Sequence, residues 1–251
     1  MKTVGCIQSS YIPWRGYFDI IRRSDVFVFH DDIQYTKQDW RNRNRIKTRA
    51  GLVWLSVPVK KKTTHATIDA VEIDNSQEWG RRHWRLIQAN YRTAPYFNDY
   101  AGFLEAALTR RWGRLSELNR DLIAGVCRLL GIETPLIDSR SLALSGHKTD
   151  RLVQLCAALG AERYLSGPAA RSYIEPEKFA AAGIELEYMV YDYPPYPQAF
   201  GPFVEGASII DLLLNCGPDA VTLGLPPISC ASTPPNRQPG RIAFRTNTKA
   251  P

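Results

Sequence analysis

Between residues 135 and 191 short apolar runs alternate with amphipathic stretches that stop at glycines, and no other feature constrains the fold of this chain as much. The pattern predicts a strand over 135–138, a helix over 150–159 ending at Gly160, a strand over 163–166, a helix over 176–182 ending at Gly183, and a strand over 184–191. Strands linked through helices pair in parallel. Near the front, TVGCIQ over 3–8 and DVFVFH from Asp25 to His30 flank a helical stretch from Trp14 to Ile21, a second strand–helix–strand unit. The expected fold class is α/β, with a mostly parallel Rossmann-like sheet.

Two stretches break that rhythm. Residues 37–62 carry nine basic groups against Asp39 alone. With Val53 to Val59 and Ala70 to Ile73 reading as strands, they predict a β-rich basic excursion. From Glu78 the period becomes helical, with Trp79, His83, Leu86, Ile87 and Tyr91 on one face. A second helix covers about 98–112, and a third starts near Ser116 and stops at Gly131, so residues 77–131 read as an inserted helical part. ASIIDLLLN over 207–215 is a last apolar helix. No repeat or linker divides residues 1–224, which read as one domain, and the Pro-rich residues 225–251 read as a disordered tail.

The local surplus of +8 over residues 37–62 exceeds the net +7 of the whole chain, and Arg237, Arg241, Arg245 and Lys249 add to it, so the remainder is net acidic. One basic face results. It suits an anionic small molecule, a carrier-protein phosphopantetheine or a tRNA-bound donor, with no DNA expected; a solvated charge run is the competing reading. With 44% hydrophobic residues and no apolar run of membrane length, the chain reads as a soluble globular protein without membrane insertion. Its five cysteines are scattered without metal-ligand spacing, which predicts reduced thiols in a cytoplasmic protein with no export signal.

Four segments are candidates for chemistry. The turn between the first strand and helix holds Gln8, Tyr11, Trp14, Gly16 and Tyr17, where free backbone N–H groups suit phosphate. There Trp14-Arg-Gly-Tyr17 has the spacing of the His-x-Gly-His turn of nucleotidyltransferases, with aromatics in place of both histidines. In the basic stretch, Arg41, Arg43 and Arg45 share one side of an extended segment and Asn42 and Asn44 the other. Guanidinium forks grip a diphosphate or carboxylate, and Tyr35 and Trp40 offer stacking. Lys148 precedes a helix for which Thr149 or Asp150 is the expected N-cap, in a loop without Walker A spacing. Ser166 and Gly167 begin a small-residue turn carrying Arg171, without the GxSxG elbow of a hydrolase. His30, Asp31 and Asp32 end a strand, where α/β sheets collect ligands, and are the candidates for a general base or metal ligands. No cofactor is specified by a motif, and no metal site is assigned. His83, on an apolar helical face, reads as a core residue.

In order, GCIQSSYIPWRGYFDII, VFHDDIQYTKQDWRNRNRIKT, HWRLIQANYRTAPYF, LGIETP, GHKTDRLVQLCAALGAERYLSGPAARSYI and SIIDLLLNCGP resemble the WbqC-like family over about residues 3–220. The resemblance carries over Gln8, Tyr11, Pro13, Gly16, Asp31, Asp32, Asn42, Arg43, Asn44, Asn90, Tyr91, Lys148, Thr149, Arg151, Ser166, Gly167 and Pro168. Many members have His-Gln-Pro-Asn where this chain has Ile7-Gln8-Ser9-Ser10, so that histidine's role does not transfer. The family's association with O-antigen, amino-sugar and specialised-metabolite pathways implies a group-transfer enzyme, with acyl or aminoacyl transfer to an amine as the leading expectation. Arg41, Arg43 and Lys148 would hold the donor, His30, Asp31 or Asp32 would take a proton, and Gln8 with Ser166-Gly167 would polarise the acyl oxygen. A nucleotide-dependent ligase or nucleotidyltransferase, and a non-catalytic RNA- or carrier-binding module, stand as alternatives.

Overall fold

The computed structural model describes residues 1–61 and 65–225; Lys62, Cys230 and residues 226–251 of the expected disordered tail lie outside the described residues. Its strands are β1 (Thr3–Ile7), β2 (Val26–Phe29), β3 (Arg43–Thr48), β4 (Gly51–Ser56), β5 (Leu136–Asp138), β6 (Arg163–Ser166) and β7 (Glu185–Tyr188). Its helices are α1 (Arg15–Arg22), α2 (Trp79–Tyr91), α3 (Phe97–Thr109), α4 (Leu115–Leu129), α5 (Lys148–Ala158), α6 (Pro176–Ala181), α7 (Ile209–Cys216) and α8 (Ala220–Gly224).

Five strands form one sheet in the order β5-β2-β1-β6-β7, every neighbouring pair parallel. The chain leaves β1 toward one edge and resumes at β6 on the other side of β1, so the order reverses between these two central strands. Ligands collect at such a reversal, outside the carboxyl ends of the strands. The central strands β1, β2 and β6 are short and mostly buried on both faces, whereas the edge strand β7 exposes Glu185 and Glu187. Val4, Cys6 and Val28 pack with Leu155 of α5 and Phe179 of α6. Phe27 and Phe29 face the opposite way, into a core with Ile20, Leu122 and Leu212 of α1, α4 and α7.

The basic excursion is an antiparallel hairpin of β3 and β4 only. The strand expected over Val53–Val59 begins earlier and stops at Ser56: Val57 gives a last in-register bond to Asn42 O, and Pro58 then has no N–H to offer a ladder. Ala70–Ile73 is not a strand. Residues Ile68–Ala70 form a 3₁₀ turn that sends Asp69 N to Asp31 O, and only isolated bridges follow, at Val59–Ile73 and Glu72–Arg114. Helix α5 starts at Lys148 with His147 in the cap position, so neither Thr149 nor Asp150 is the N-cap; the Thr149 hydroxyl instead accepts from Glu175 N, 3.1 Å away.

Helices α2 and α3 cross with no space at Gly80, where a Cβ would lie 1.9 Å from the Leu108 carbonyl oxygen. Because that neighbour is backbone, the helices themselves must separate. We expect Gly80→Ala to destabilise the protein by about 1–3 kcal/mol in denaturant melts, although alanine is the better helix former.

His83 is in the core, as its helical face suggests. Its Nδ1 lies 2.9 Å from the Tyr11 hydroxyl, and it also hydrogen-bonds the backbone of Ser56. Burial, chiefly, pushes its pKa from 6.5 down to about 4. A base depressed in the folded state contributes stability that is whole above the unfolded pKa and is lost as pH falls toward the folded one. Between pH 6.5 and about 4 the loss approaches about 3 kcal/mol. Melting temperatures of His83→Asn should therefore start lower at neutral pH yet fall less steeply across that window.

Candidate functional site

A cleft of about 280 Å³ opens at the carboxyl ends of the central strands, lined by Gln8, His30, His147, Lys148, Arg151 and Tyr173 over an apolar floor that includes Cys6, Ile33, Leu152 and Tyr164. A larger groove of about 590 Å³ runs past Lys60, Glu72, Asp74, Arg111 and Trp112, away from the strand ends, and Lys60 and Glu72 in it neutralise each other. The smaller cleft is the better candidate because it sits at the strand-order reversal and gathers unlike polar groups over an apolar base.

His30 follows β2 and its amide extends the ladder to Ile7 O at 3.1 Å, which fixes the imidazole at the sheet edge. Arg151, one turn into α5, donates from Nε to His30 Nε2 at 3.1 Å, from Nη1 to Leu144 O at 2.9 Å, and pairs with Asp32 through Nη2. Asp32 also accepts from the Ser139 hydroxyl at 2.6 Å. Because Arg151 has no lone pair to offer, His30 Nε2 is the acceptor and the imidazole is neutral with its proton on Nδ1. Its pKa moves the same way: burial lowers it most, Arg151 lowers it further, and Asp32 and Asp31 oppose the shift.

Asp31 has a different place. It is fully buried, its Oδ1 accepting from Ser9 N at 2.7 Å and its Oδ2 from Arg120 Nε at 2.8 Å. Arg120 continues to Asp138, where burial pushes the carboxyl pKa up but bonds from Arg140 and Arg120 outweigh it and hold the group below the usual carboxylate range. This chain of charges fixes the loop after β1 against α4 and β5.

Lys148, the first residue of α5, is exposed at the cleft with φ +49°, a left-handed conformation uncommon for lysine. It stands where the positive end of an eleven-residue helix meets the opening. Burial pushes the Cys6 thiol up, so it is an apolar wall rather than a nucleophile.

The other sequence candidates divide. Arg41 is not among the residues lining the cleft; it donates from Nη1 to Ser10 Oγ at 2.6 Å and precedes β3 instead of sharing the face of Arg43 and Arg45. Ser166 and Gly167 leave β6, with Ser166 O engaged by Met189 N. The turn after β1 is closed by packing: Asn44 donates to Tyr11 O and Ile12 O, Ser208 to Ile12 O, and Tyr17 to Gln8 O. Above Gly16 the space is taken by the Trp14 ring, 2.4 Å from where a Cβ would be, and Trp14 itself packs on Tyr191 and Tyr193. Tyr35 and Tyr91 are buried, and Tyr91 bonds Asp211. Asn42 bonds Val57 O, Asn90 bonds Leu86 O within α2, and Arg171 lies over the Tyr188 ring. Arg43 lies on β3 over the Trp54 ring, and Trp40, in the loop before β3, packs against Trp54.

His147, Tyr173, Ser139 and Arg120 are residues of the candidate site that the sequence alone does not single out. The first two stand inside motifs already quoted, next to Lys148 and two residues after Arg171. Ser139 and Arg120 reach the site only through long-range packing and leave no local signal.

Residues 8–223 match the WbqC-like protein family. The uncharacterized protein Rv1507c of Mycobacterium tuberculosis is 45% identical over 223 residues, covering 88% of this chain and 96% of that protein. No solved structure matches the chain. Among the described residues no helix is long and apolar enough to cross a membrane.

Proposed function

This chain belongs to the WbqC-like protein family, and from its cleft we propose a group-transfer enzyme that moves an acyl or aminoacyl unit from an anionic donor to the amine of an amino sugar or related acceptor, in surface-polysaccharide or natural-product biosynthesis. The observation that carries this reading is the neutral His30 imidazole, hydrogen-bonded by Arg151 at the strand-order reversal. An amine becomes an effective nucleophile when a base takes its proton during attack. Nitrogen bonds the acyl carbon, the bond from that carbon to the donor oxygen or sulfur breaks, and the proton passes to His30 Nε2 and then to the leaving group. An anionic donor drawing Arg151 toward itself frees the Nε2 lone pair for this task. Lys148 and the α5 terminus supply the positive field for the donor, and the Gln8 amide and the turn at Ser166-Gly167 are suited to the acyl oxygen.

A thermal-shift panel tests the donor site. Coenzyme A, ATP, uridine diphosphate N-acetylglucosamine, inorganic pyrophosphate and bulk tRNA are each titrated into wild type, Lys148→Ala and Arg151→Ala. At a hundredfold excess over Kd one of them should stabilise wild type by about 2.7 kcal/mol, or about 5–10 °C at this size, and both variants should lose most of that response. Equal shifts in wild type and variants contradict the site.

The strand order favours a second reading, nucleotide-dependent ligation, since such reversals commonly seat nucleotides. ATP-dependent release of pyrophosphate in the presence of a carboxylate separates it from simple transfer.

A further inference from the structure

We infer that the outer face of the β3–β4 hairpin is a binding surface for single-stranded RNA, separate from the cleft. The hairpin's inner face buries Asn44, Ile46 and Leu55. On the other face, Trp54 pairs across the ladder with Arg45, and Arg43 is two residues away along the same strand. Trp40 joins them from the preceding loop, its ring centroid 5.4 Å from that of Trp54. Both indoles are open to solvent, at 41% and 43% exposure. The Arg43 guanidinium lies 4.4 Å from the Trp54 ring centre, and that of Arg45 lies 5.3 Å from Trp54 and 5.6 Å from Trp40.

Cation–π contacts alone explain a stiffened hairpin, and arginines on an edge strand guard it against aggregation. They do not explain why both cations lack a counter-charge, Arg45 Nη2 reaching only Gly206 O at 3.5 Å. The Nε atoms of Arg43 and Arg45 are buried without a hydrogen-bond partner, and neither guanidinium meets a carboxylate among the described residues. Burial lowers the Arg45 pKa, as for a charge lacking its counter-ion. Two neighbouring exposed indoles are likewise unusual on a surface with no task.

The chemistry selects the ligand. In sequence, Lys37, Arg49 and Lys61 flank this face with Asp39 as the one nearby acid, Lys60 being already paired with Glu72, so the ligand is anionic. Indole faces stack on any nucleobase, and this stacking with backbone cations is how single strands are held without sequence preference. Arg43 and Arg45, two residues apart in an extended strand, are spaced about 6.7 Å along it, comparable to successive phosphates of an extended chain. An acidic glycan supplies the charge without flat aromatic faces, and duplex RNA keeps its bases stacked internally. Arg41, next in sequence to Trp40 and bonded to Ser10, is the following cation toward the cleft. The inference does not depend on the cleft's chemistry.

Fluorescence anisotropy with a labelled single-stranded RNA of about 12 nucleotides tests it, on the full chain, between about 50 and 200 mM salt. Wild type should bind, with affinity falling as salt rises. Trp54→Ala should weaken binding at least about fivefold, the effect of losing one stacked base, and Trp54→Phe should restore most of it. Arg43→Ala should reduce the salt slope by about one phosphate contact. Circular dichroism melts establish that each variant is folded. Absence of RNA binding at low salt, unchanged affinity in Trp54→Ala, or equal competition by inorganic polyphosphate overturns the inference, as does binding of polygalacturonate in place of RNA. His30→Gln should bind RNA like wild type, so failure at the hairpin and failure of the transfer reading show in different measurements.

Discussion

His30→Gln should lower turnover of the transfer reaction by about 10²–10⁴-fold, the contribution of a positioned general base, while leaving donor-induced thermal stabilisation near its wild-type value. Glutamine retains an oxygen that can accept from Arg151 Nε, so the cleft keeps its shape and loses only proton uptake. Because burial holds the His30 pKa below 6.5, wild-type activity should persist under mildly acidic conditions and fail only where the imidazole at last becomes charged. Turnover within a few-fold of wild type removes His30 from the mechanism. A loss of donor binding together with turnover assigns it to shape instead.

Asp211→Ala should be the most destabilising single change outside the cleft, by about 3–5 kcal/mol, which lowers the melting temperature by roughly 6–20 °C at this chain length. The carboxylate on α7 is nearly inaccessible to water and accepts from Tyr91 at 2.7 Å, Tyr196 at 2.7 Å and Gln198 at 2.7 Å. Tyr91 in turn accepts from the Lys47 amide in β3 at 2.9 Å. Removing the carboxylate leaves the buried Tyr91 and Tyr196 hydroxyls without their acceptor, each carrying its full desolvation cost, while Gln198 keeps Tyr196 Oη and Val204 O as acceptors. Burial raises the Asp211 pKa, while the bonds from Tyr196, Tyr91 and Gln198 and the nearby Lys47 charge oppose the rise. A carboxamide keeps one acceptor oxygen, so Asp211→Asn should lie between wild type and the alanine variant. A melting temperature for Asp211→Ala within a degree or so of wild type would contradict this account of the junction between α2, α7 and the hairpin.

The sheet was legible in the sequence because its central strands are buried on both faces and show as short apolar runs between helical stretches, with β7 following Gly183 as an alternating edge strand. His30 and Asp32 were legible for a related reason, since polar residues directly after such a run must lie at a strand end. Arg151 was marked only by resemblance. Its grip on both residues depends on α5 crossing back over the sheet, which periodicity does not encode. The turn from Gln8 to Tyr17 shows the opposite case. Its composition suits phosphate, but Asn44, Ser208 and Ile209 engage its carbonyls from distant parts of the chain. Alternation of Arg and Asn made the hairpin readable as extended, but its length and partner did not follow, and nothing local placed Trp54 opposite Arg45. The expected strand at Ala70–Ile73 failed because its β-forming residues are a weaker influence than the turn at Ile68–Ala70, which bonds the loop after β2.

The central claim is that the anionic donor lies at the strand-order reversal, against Lys148 and Arg151 and within reach of His30. A crystal of the protein soaked with whichever compound of the thermal-shift panel stabilises it most tests this directly. The account predicts density for the donor's anionic group at the N-terminus of α5, with Arg151 turned toward it and His30 Nε2 facing the transferable group. Density in the groove beside Lys60 and Arg111, or an unaltered Arg151–His30 bond beneath a bound donor, would contradict it.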